Sequence, residues 1–409
     1  MNGQVVERLG HLGDGILDGP VFAARCLPGE VIDGETVDGR IAAPRILEPS
    51  PHRVSPPCRH YKSCGGCAVQ HASDAFVAEW KTGIVRTALE AQGLETEFRP
   101  VHISPPKSRR RAVFSGRRTK KDVLIGFHAR ASETLIEVPD CQLLRPELLA
   151  THPALAEMTR VGASRKAELS FTVTLTEEGP EIAVEGGKPL DLPLRAALGA
   201  IAEEHELARL NWGDEQVAQR ARPLVRFEGI SVEPPPGAFL QATEDGEATL
   251  RDAVREIVED AGRIADLFSG CGTFALPLAK QAEIHAVEGM DALTHALAAG
   301  WRNATGLKQV TVETRDLFRR PLLPDELAKF DAIVIDPPRA GAQAQCAEIA
   351  RSKVERVAFV SCNPVTFARD AALLVQAGFH LEWLLPVDQF RWSTHVELAA
   401  CFSRNHIGA

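Results

Sequence analysis

The strongest constraint on the fold lies in the second half of the chain, where short apolar segments alternate with helical patterns. This half follows a proline-glycine break at 234–237 and opens with a helical pattern over 244–260. The apolar segments then lie at 263–268, 284–288, 309–314, 331–336, 356–361 and 396–402. Such alternation is typical of a doubly wound sheet with helices on both faces. We therefore predict an α/β domain over residues 231–409.

A glycine-rich loop follows the first of these segments, in the sequence DLFSGCGTF (266–274). Gly270 and Gly272 allow the backbone to turn tightly and to approach a nucleotide-like ligand at the start of the next helix. Glu288 ends the second segment, where folds of this kind direct a carboxylate to ribose hydroxyls, and Asp316 follows the third. Together these positions predict a binding site for a nucleotide moiety.

The fourth segment runs into the loop Asp336-Pro337-Pro338-Arg339. In an open parallel sheet this position lies at the carboxyl edge, where ligands bind. The prolines stiffen the loop and remove backbone donors, so the Asp336 carboxylate is directed at the cleft. Similar acid-proline-proline motifs hold amino groups in adenine methyltransferases, so this motif alone does not identify the atom that is modified.

The fifth segment ends at a cysteine, Cys362, within SCNP (361–364). If the predicted site transfers a methyl group to a nucleic-acid base, this cysteine helps to separate the possible acceptor atoms. Uracil C5 is too weakly nucleophilic to accept a methyl group unless a thiolate first adds at C6, whereas exocyclic amines need no covalent step. Its place at a strand end beside the predicted cleft makes Cys362 the candidate nucleophile. The reaction also needs a base for the C5 proton, and the candidates in HVE (395–397) are Glu397 and, as an alternative, His395.

The first half of the chain predicts two smaller parts. Residues 1–50 alternate short apolar runs with glycines, which indicates short strands and tight turns and favours a small barrel. Prolines at 49–57 mark a linker into a mixed segment over 51–230. This segment contains a helix that Ser73 caps and a hairpin across 171–186, so we predict an α+β central domain.

The cysteines add a possible metal site. Nine cysteines in a chain with no recognisable export signal favour metal binding or catalysis over disulfides. Cys58, Cys64 and Cys67 form a C-x5-C-x2-C pattern, while the others are scattered. Thiolate ligands suit structural zinc as well as iron–sulfur clusters, and the spacing does not separate the two.

Charge and hydropathy limit the classes of partner that the protein can bind. The formal net charge of −9 argues against indiscriminate binding of nucleic acid. One short stretch is nevertheless basic, and it predicts a contact with phosphates through Arg109, Arg110, Arg111, Arg117, Arg118, Lys120 and Lys121. No apolar run reaches the roughly 18 residues that span a bilayer. We therefore expect a cytoplasmic protein with no membrane association.

Several segments resemble those of the RNA uracil-5 methyltransferase family, and most closely its iron–sulfur branch that modifies 23S ribosomal RNA. They are LPGE, CRHYKSCGGCAVQH, RRRAVFSG, GAFLQA, DLFSGCGTF, IDPPRAG, VSCNPVTFARD and HVE, and they cover nearly the whole chain. The resemblance implies a class I (Rossmann-like) methyltransferase domain that uses S-adenosylmethionine (SAM). It also implies an N-terminal OB-like barrel of the TRAM type over 1–50 and a cluster-bearing central domain over 51–230.

The same resemblance implies roles for individual residues. SAM contacts fall on Gln241, Phe268, Thr273, Glu288, Asp316 and Asp336, where Thr273 replaces the asparagine that the family often has. The nucleophile falls on Cys362 and the base on Glu397. A [4Fe–4S] cluster falls on Cys58, Cys64, Cys67 and Cys141.

The expected reaction is methylation of uracil C5 in RNA, with 23S ribosomal RNA as the expected substrate and transfer RNA as the alternative. The target uridine must leave its stack to reach Cys362, which favours single-stranded or loop RNA. Two rival functions are an amino-group methyltransferase, in which Cys362 is incidental, and a noncatalytic RNA-binding protein. No protein partner is indicated, so a monomer is expected.

Overall fold

The computed structural model describes residues 3–404, and its N-terminal part consists of short strands. Strands β1 to β7 span Gln4–Val5, Arg8–Leu9, Gly15–Leu17, Val21–Ala23, Val31–Asp33, Arg40–Ile41 and Arg45–Glu48. They form two small sheets, in the orders β1-β5-β7 and β2-β3-β4-β6. Side chains from both sheets share one small core that includes Leu17, Ile32 and Ile41. The predicted short strands are present, while closure into a TRAM-type barrel stays a prediction.

The first long helix, α1 (Asp74–Glu90), begins where the sequence predicts it. The Ser73 hydroxyl accepts a hydrogen bond from the backbone N–H of Phe76 at 3.4 Å, which caps the helix. The apolar face is buried as its spacing predicts, but that face also carries Lys81, whose side chain is completely buried. Hydrophobic spacing gives no indication of a lysine in a core.

The central part is built on an antiparallel sheet with helices against it. Two short strands, β8 (Glu97–Phe98) and β9 (His102–Ile103), precede this sheet in the chain and belong to another sheet, described below. The elements that follow are β10 (Arg111–Arg118), β11 (Val123–His128), β12 (Leu135–Ile136), α2 (Pro146–Leu149), α3 (His152–Gly162), β13 (Glu168–Thr176), β14 (Gly179–Glu185), α4 (Leu192–Glu204), β15 (Arg209–Trp212) and β16 (Glu215–Gln219). The sheet order is β12-β11-β10-β13-β14-β15-β16. Strands β13 and β14 form the predicted hairpin.

The C-terminal part is the predicted α/β domain. Its elements are β17 (Val225–Phe227), β18 (Ile230–Val232), α5 (Glu244–Ile257), β19 (Arg263–Leu267), α6 (Ala275–Leu278), β20 (Glu283–Glu288), α7 (Asp291–Asn303), β21 (Val310–Thr314), α8 (Pro324–Leu327), β22 (Ala332–Ile335), α9 (Gln343–Arg351), β23 (Arg356–Ser361), α10 (Pro364–Gln376), β24 (His380–Asp388) and β25 (Glu397–Ser403). The large sheet has the order β21-β20-β19-β22-β23-β25-β24-β8. Strands β19 to β23 are parallel, and β25 is antiparallel to both of its neighbours.

The domain boundary differs from the prediction at one edge of this sheet. Strands β8 and β9 belong to the predicted central segment, yet both pair with β24 of the large sheet. Each is only two residues long, so the sequence gives no periodicity to reveal it. Strand β24 was not predicted either. The large sheet therefore includes residues far upstream of residue 231.

The basic stretch does not contact phosphates along its whole length, although its composition predicted that it would. Arg110 is buried and forms an ion pair with Glu247, so its assignment as a phosphate contact is wrong. Arg117 pairs with Glu168 at 2.6 Å. Both side chains are therefore engaged within the protein.

Among residues 3–404, no helix combines the length and the apolar character that crossing a bilayer requires.

Candidate active site

The predicted site residues meet at the carboxyl edge of the large sheet. The chain leaves β19 in one direction toward β20 and β21, while β22 and β23 lie on its other side, so a crevice opens between them. A cavity of about 630 Å³ lies there. Its lining includes every predicted catalytic and cofactor residue: Gln241, Phe268, Thr273, Glu288, Asp316, Asp336, Cys362 and Glu397.

The glycine-rich loop forms one wall of this cavity through an unusual backbone. Phe268 has a φ of 61°, a left-handed conformation that a non-glycine residue rarely adopts. A side-chain carbon at Gly272, whose φ is 104°, would lie 2.8 Å from Cγ of Leu276. Only glycine therefore allows the loop to pack against the start of the next helix. The strained turn at Phe268 is typical of a functional loop.

The Glu288 carboxylate is held in a fixed orientation beside the glycine-rich loop. It accepts a hydrogen bond from the backbone N–H of Gly270 at 3.1 Å and another from Met290 at 3.0 Å. Asp316 is oriented in the same way by the backbone N–H of Phe318 at 3.0 Å. Both carboxylates thus present their remaining lone pairs to the cavity, where they can accept hydrogen bonds from a polar ligand.

Two aromatic side chains pack together in the cavity wall. The rings of Phe268 and Phe318 have centroids 5.4 Å apart, and both line the cavity. Phe318, Met290 and Phe239 are exposed although they are large and apolar. Exposed apolar side chains around a cavity with a few oriented polar groups are typical of a site for a flat, partly apolar ligand.

Cys362 and two acids gather at the other end of the cavity. Burial raises the pKa of Asp336 to about 7. Burial and the neighbouring Asp336 raise the pKa of Glu397 to about 8. Burial, together with Glu397 and Asp336, raises the pKa of the Cys362 thiol to about 11. Two acids and a thiol with perturbed pKa values in one cleft mark a site for proton transfer.

Arg339 balances this group of acids, and the sequence assigned it no role. It lines the cavity and lowers the pKa of both Cys362 and Glu397. Its Nη2 donates to Nδ1 of His395 at 2.8 Å, so His395 carries its ring proton on Nε2. Burial, and then Arg339, lower the pKa of His395. Of the described residues at this end, Glu397 lines the cavity and His395 does not.

The four predicted cluster cysteines lie in a second region, in the central part of the protein. Burial raises the pKa of the thiols of Cys58, Cys64 and Cys67, and nearby Cys141 raises each pKa further, so the four sulfurs are neighbours. None of them is in a disulfide.

Ion pairs join the two chain segments that supply these cysteines. Arg59 and His60, from the first segment, each contact the carboxylate of Asp140 at 3.0 Å. Asp140 precedes Cys141 directly. The backbone N–H of Gly66 also donates to Sγ of Cys64 at 3.4 Å, as it would to a metal-bound thiolate. The donor chemistry suits a metal centre, but among the described residues no three cysteine sulfurs lie within 4.8 Å of one another, so the metal centre stays a prediction.

Comparisons with known proteins agree with this architecture. Residues 232–405 match the family model described as tRNA (uracil-5-)-methyltransferase. The chain is 43% identical to an uncharacterised RNA methyltransferase of Rhizobium meliloti, over 98% of each chain. It is 32% identical to a 23S rRNA (uracil(1939)-C(5))-methyltransferase of Shewanella amazonensis, over 97% of this chain and 94% of the relative.

Among solved structures, the fold resembles that of the tRNA (uracil-54, C5)-methyltransferase of Pyrococcus abyssi in complex with S-adenosyl-L-homocysteine. The TM-score is 0.75 at 21% identity, and the likeness covers 98% of this chain and 99% of the other. This likeness extends the shared fold to the whole described molecule, and the sequence matches supply the family. The chain belongs to the RNA uracil-5 methyltransferase family, as its motifs predicted.

Proposed function

We propose that this enzyme methylates C5 of an unpaired uridine in 23S ribosomal RNA through a covalent bond between Cys362 and uracil C6. The observation that carries the proposal is the single cavity that Cys362 and Glu397 share with the six predicted SAM contacts. A nucleophile, a base and a donor site within one crevice are what a uracil-5 methyltransferase requires. The two rival functions need no such combination.

The donor end of the cavity would hold SAM through the residues already placed there. The oriented carboxylate of Glu288 suits the ribose hydroxyls, and the rings of Phe268 and Phe318, which line the cavity, suit the adenine ring. Gln241, Thr273, Asp316 and Asp336 complete the lining. SAM supplies an electrophilic methyl group, and the protein orients that group toward the target base.

The other end would act on the base in three steps. The Cys362 thiolate adds to C6, and the electron pair that this releases makes C5 an enolate-like nucleophile. C5 would then take the methyl group of SAM as the C–S bond breaks, and the sulfur would keep that electron pair and leave as the neutral thioether S-adenosylhomocysteine. Glu397 removes the C5 proton, the C5–C6 double bond re-forms, and the Cys362 thiolate leaves. Arg339 stabilises the thiolate in the first and last steps, because it is a cation facing Cys362.

Trapping the covalent adduct tests this mechanism. RNA that carries 5-fluorouridine has no C5 proton for the base to remove, so the wild-type enzyme should form a complex that survives denaturing electrophoresis. Cys362→Ser should form none. Cys346→Ser, which changes a buried cysteine outside the cavity, is the matched control and should still form it. Methylation of uracil C5 without an adduct would contradict the covalent mechanism.

The RNA substrate is the less constrained part of the proposal. The Shewanella amazonensis relative, which aligns over almost the whole chain, is named for 23S ribosomal RNA. The overall fold does not decide between substrates, because the Pyrococcus abyssi protein with the same fold is named for transfer RNA. Methylation of protein-free 23S RNA fragments, compared with transfer RNA transcripts, tests the choice. Efficient activity on transfer RNA alone would overturn the ribosomal assignment and leave the chemistry intact.

We also propose that Cys58, Cys64, Cys67 and Cys141 hold a [4Fe–4S] cluster. The support for the cluster is the resemblance of CRHYKSCGGCAVQH to the iron–sulfur branch of the family, together with the mutual proximity of the four thiols. Among the described residues, no three cysteine sulfurs lie within 4.8 Å of one another, so their spacing selects neither metal. Four thiolates suit zinc as well as iron–sulfur, and metal analysis separates the two.

Metal analysis tests this assignment. Protein purified without oxygen should be brown and should contain roughly four irons per chain. Cys141→Ser should lose the colour, whereas Cys26→Ser, which changes a buried cysteine in the N-terminal core, should keep it. The cluster would have a structural role in the central domain and would help to position RNA. It would not transfer electrons, because methyl transfer moves no net electrons. Stoichiometric zinc without iron would refute the assignment.

A further inference from the structure

A buried glutamine outside the predicted site, Gln389, connects two parts of that site. It follows strand β24, and its side chain is 1% exposed. Val387, two residues earlier, lies opposite Glu397 in the antiparallel pairing of β24 with β25. Since residues two apart share a face of a strand, Gln389 lies on the same face as the candidate base.

The hydrogen bonds of Gln389 fix which way its amide points. Its Oε1 accepts from the backbone N–H of Ala242 at 2.9 Å. Its Nε2 donates to Oε1 of Gln241, a predicted SAM contact, at 2.5 Å. Only the amide oxygen can accept from a backbone N–H, so the nitrogen must face Gln241. The second N–H on that nitrogen is left to donate to Glu397, and Gln389 lowers the pKa of the Glu397 carboxyl as such a donor does.

We propose that Gln389 is a positioning residue that orients the Glu397 carboxylate for removal of the C5 proton and fixes the Gln241 side chain against the methyl donor. This inference rests on the proposed function and adds a component to it. One amide with its oxygen anchored to the backbone joins the base to the donor site. Filling the donor site would therefore restrain the base through two hydrogen bonds.

The charged groups around Glu397 show why an N–H donor matters there. Burial and Asp336 disfavour the carboxylate, whereas Gln389 and then Arg339 favour it. The Cys362 thiol faces it across the cavity, and His395 is occupied by Arg339. On the side away from the cavity, Lys81 pairs with Asp388. The Gln389 N–H is thus one of two groups that hold the proton acceptor in its charged form.

The pH dependence of product release tests the proposal. In a single turnover with a labelled methyl group, release of the methylated product requires the base, whereas adduct formation on 5-fluorouridine RNA does not. Gln389→Leu keeps the size and removes the donor, so the midpoint of release should move up by about one to two pH units. Adduct formation should persist, and affinity for SAM should fall about 10-fold because Gln241 is no longer held in place.

A matched variant separates this effect from general destabilisation. Gln345 is likewise completely buried, its side chain exchanges hydrogen bonds with the backbone of Leu322, and neither residue lines the cavity. Gln345→Leu should lower the melting temperature without moving the midpoint of release. Gln389→Glu, which places a second carboxyl group beside the base, should also move that midpoint upward and covers the case in which Gln389→Leu does not fold.

The outcomes are distinct. A Gln389→Leu enzyme that folds and keeps the wild-type midpoint would overturn this proposal, and so would an unchanged midpoint in Gln389→Glu. Failure of the wild-type enzyme to form any adduct with 5-fluorouridine RNA would instead overturn the covalent mechanism on which the proposal rests.

Discussion

At the scale of single residues, the catalytic groups are buried in a way that opposes their reactive forms. The pKa of Cys362 is raised to about 11 and that of Glu397 to about 8, in both cases first by burial. Both groups therefore hold their protons at neutral pH. Arg339, the cation in the described lining, is the group that can offset this cost when the thiolate forms.

The pKa of Glu397 sets the pH dependence of the last step. A raised pKa means that the base form is lost as the pH falls through about 8, so release of methylated RNA should accelerate from about pH 7 to pH 9. Glu397→Gln removes the base and should slow release by about 10²- to 10⁴-fold, so that a methylated covalent intermediate accumulates. Mass spectrometry of quenched single turnovers would detect it. Normal turnover in this variant would assign the base role elsewhere, with His395 as the next candidate.

Residue patterns could bring these candidate residues to one cavity because they follow strand ends. Cys362, Asp336 and Glu288 each end or follow a parallel strand, and the carboxyl ends of such strands meet at one edge. Gln389 could not be found in this way, because its role depends on the pairing of β24 with β25 and on the loop that carries Gln241. Arg339 stood in a motif that was recognised, but only the folded cavity shows which groups it faces.

At the scale of elements, a buried ion pair joins helix α1 to strand β24. The Lys81 ammonium lies 2.5 Å from Oδ1 of Asp388, and the side chains are 0% and 1% exposed. Lys81 also donates to the backbone carbonyl of Phe390 at 3.2 Å. The pair thus fixes the helix that follows the cysteine segment to the strand end next to Gln389.

Breaking this pair should be costly because it leaves a charge buried without a partner. Lys81→Met should lower the free energy of unfolding by about 3–5 kcal/mol. The double variant Lys81→Met with Asp388→Leu should recover most of that stability, since it removes both charges. Urea unfolding followed by tryptophan fluorescence would measure both. Equal stability of Lys81→Met and the wild type would show that the pair carries no net stabilisation.

The elements that the sequence missed share a physical cause. Strand β24 contains Pro386 and a register shift between Leu381 and Trp383, so its periodicity is interrupted. Strands β8 and β9 are too short to have any. Helices α1 and α5 and the parallel strands were predicted because their patterns extend over whole segments. The pairing partner, which defines a short strand, is a tertiary property.

At the scale of the whole molecule, an acidic protein must still hold an anionic polymer. The β10–β11 hairpin offers three basic side chains, Arg118, Lys120 and Lys121, for which the described residues show no ion pair. Arg110 and Arg117 are engaged within the protein. We therefore expect the tip of this hairpin, and not the whole basic stretch, to contact phosphates.

Salt dependence of RNA binding tests this expectation. Replacing Arg118, Lys120 and Lys121 by glutamine should reduce the slope of log K against log salt by about 0.7 for each phosphate that the variant no longer neutralises on single-stranded RNA. Lys353→Gln is a suitable control, since this exposed lysine precedes β23 and lies at the sheet edge opposite Cys362. An unchanged slope in the triple variant would place the phosphate-binding groups on another surface.

The two upstream strands on the catalytic sheet limit how this protein can be divided. Strand β24 would be an outer strand of the sheet if β8 and β9 were absent, and Arg99 covers its Trp383 with the guanidinium 3.4 Å from the ring centroid. A truncation at residue 231 would strip away this cover and expose the unpaired N–H and C=O groups of a largely apolar strand. Such an edge is a template for intermolecular pairing. A minimal catalytic fragment that remains soluble should therefore retain residues 94–104 or carry a substitute for them.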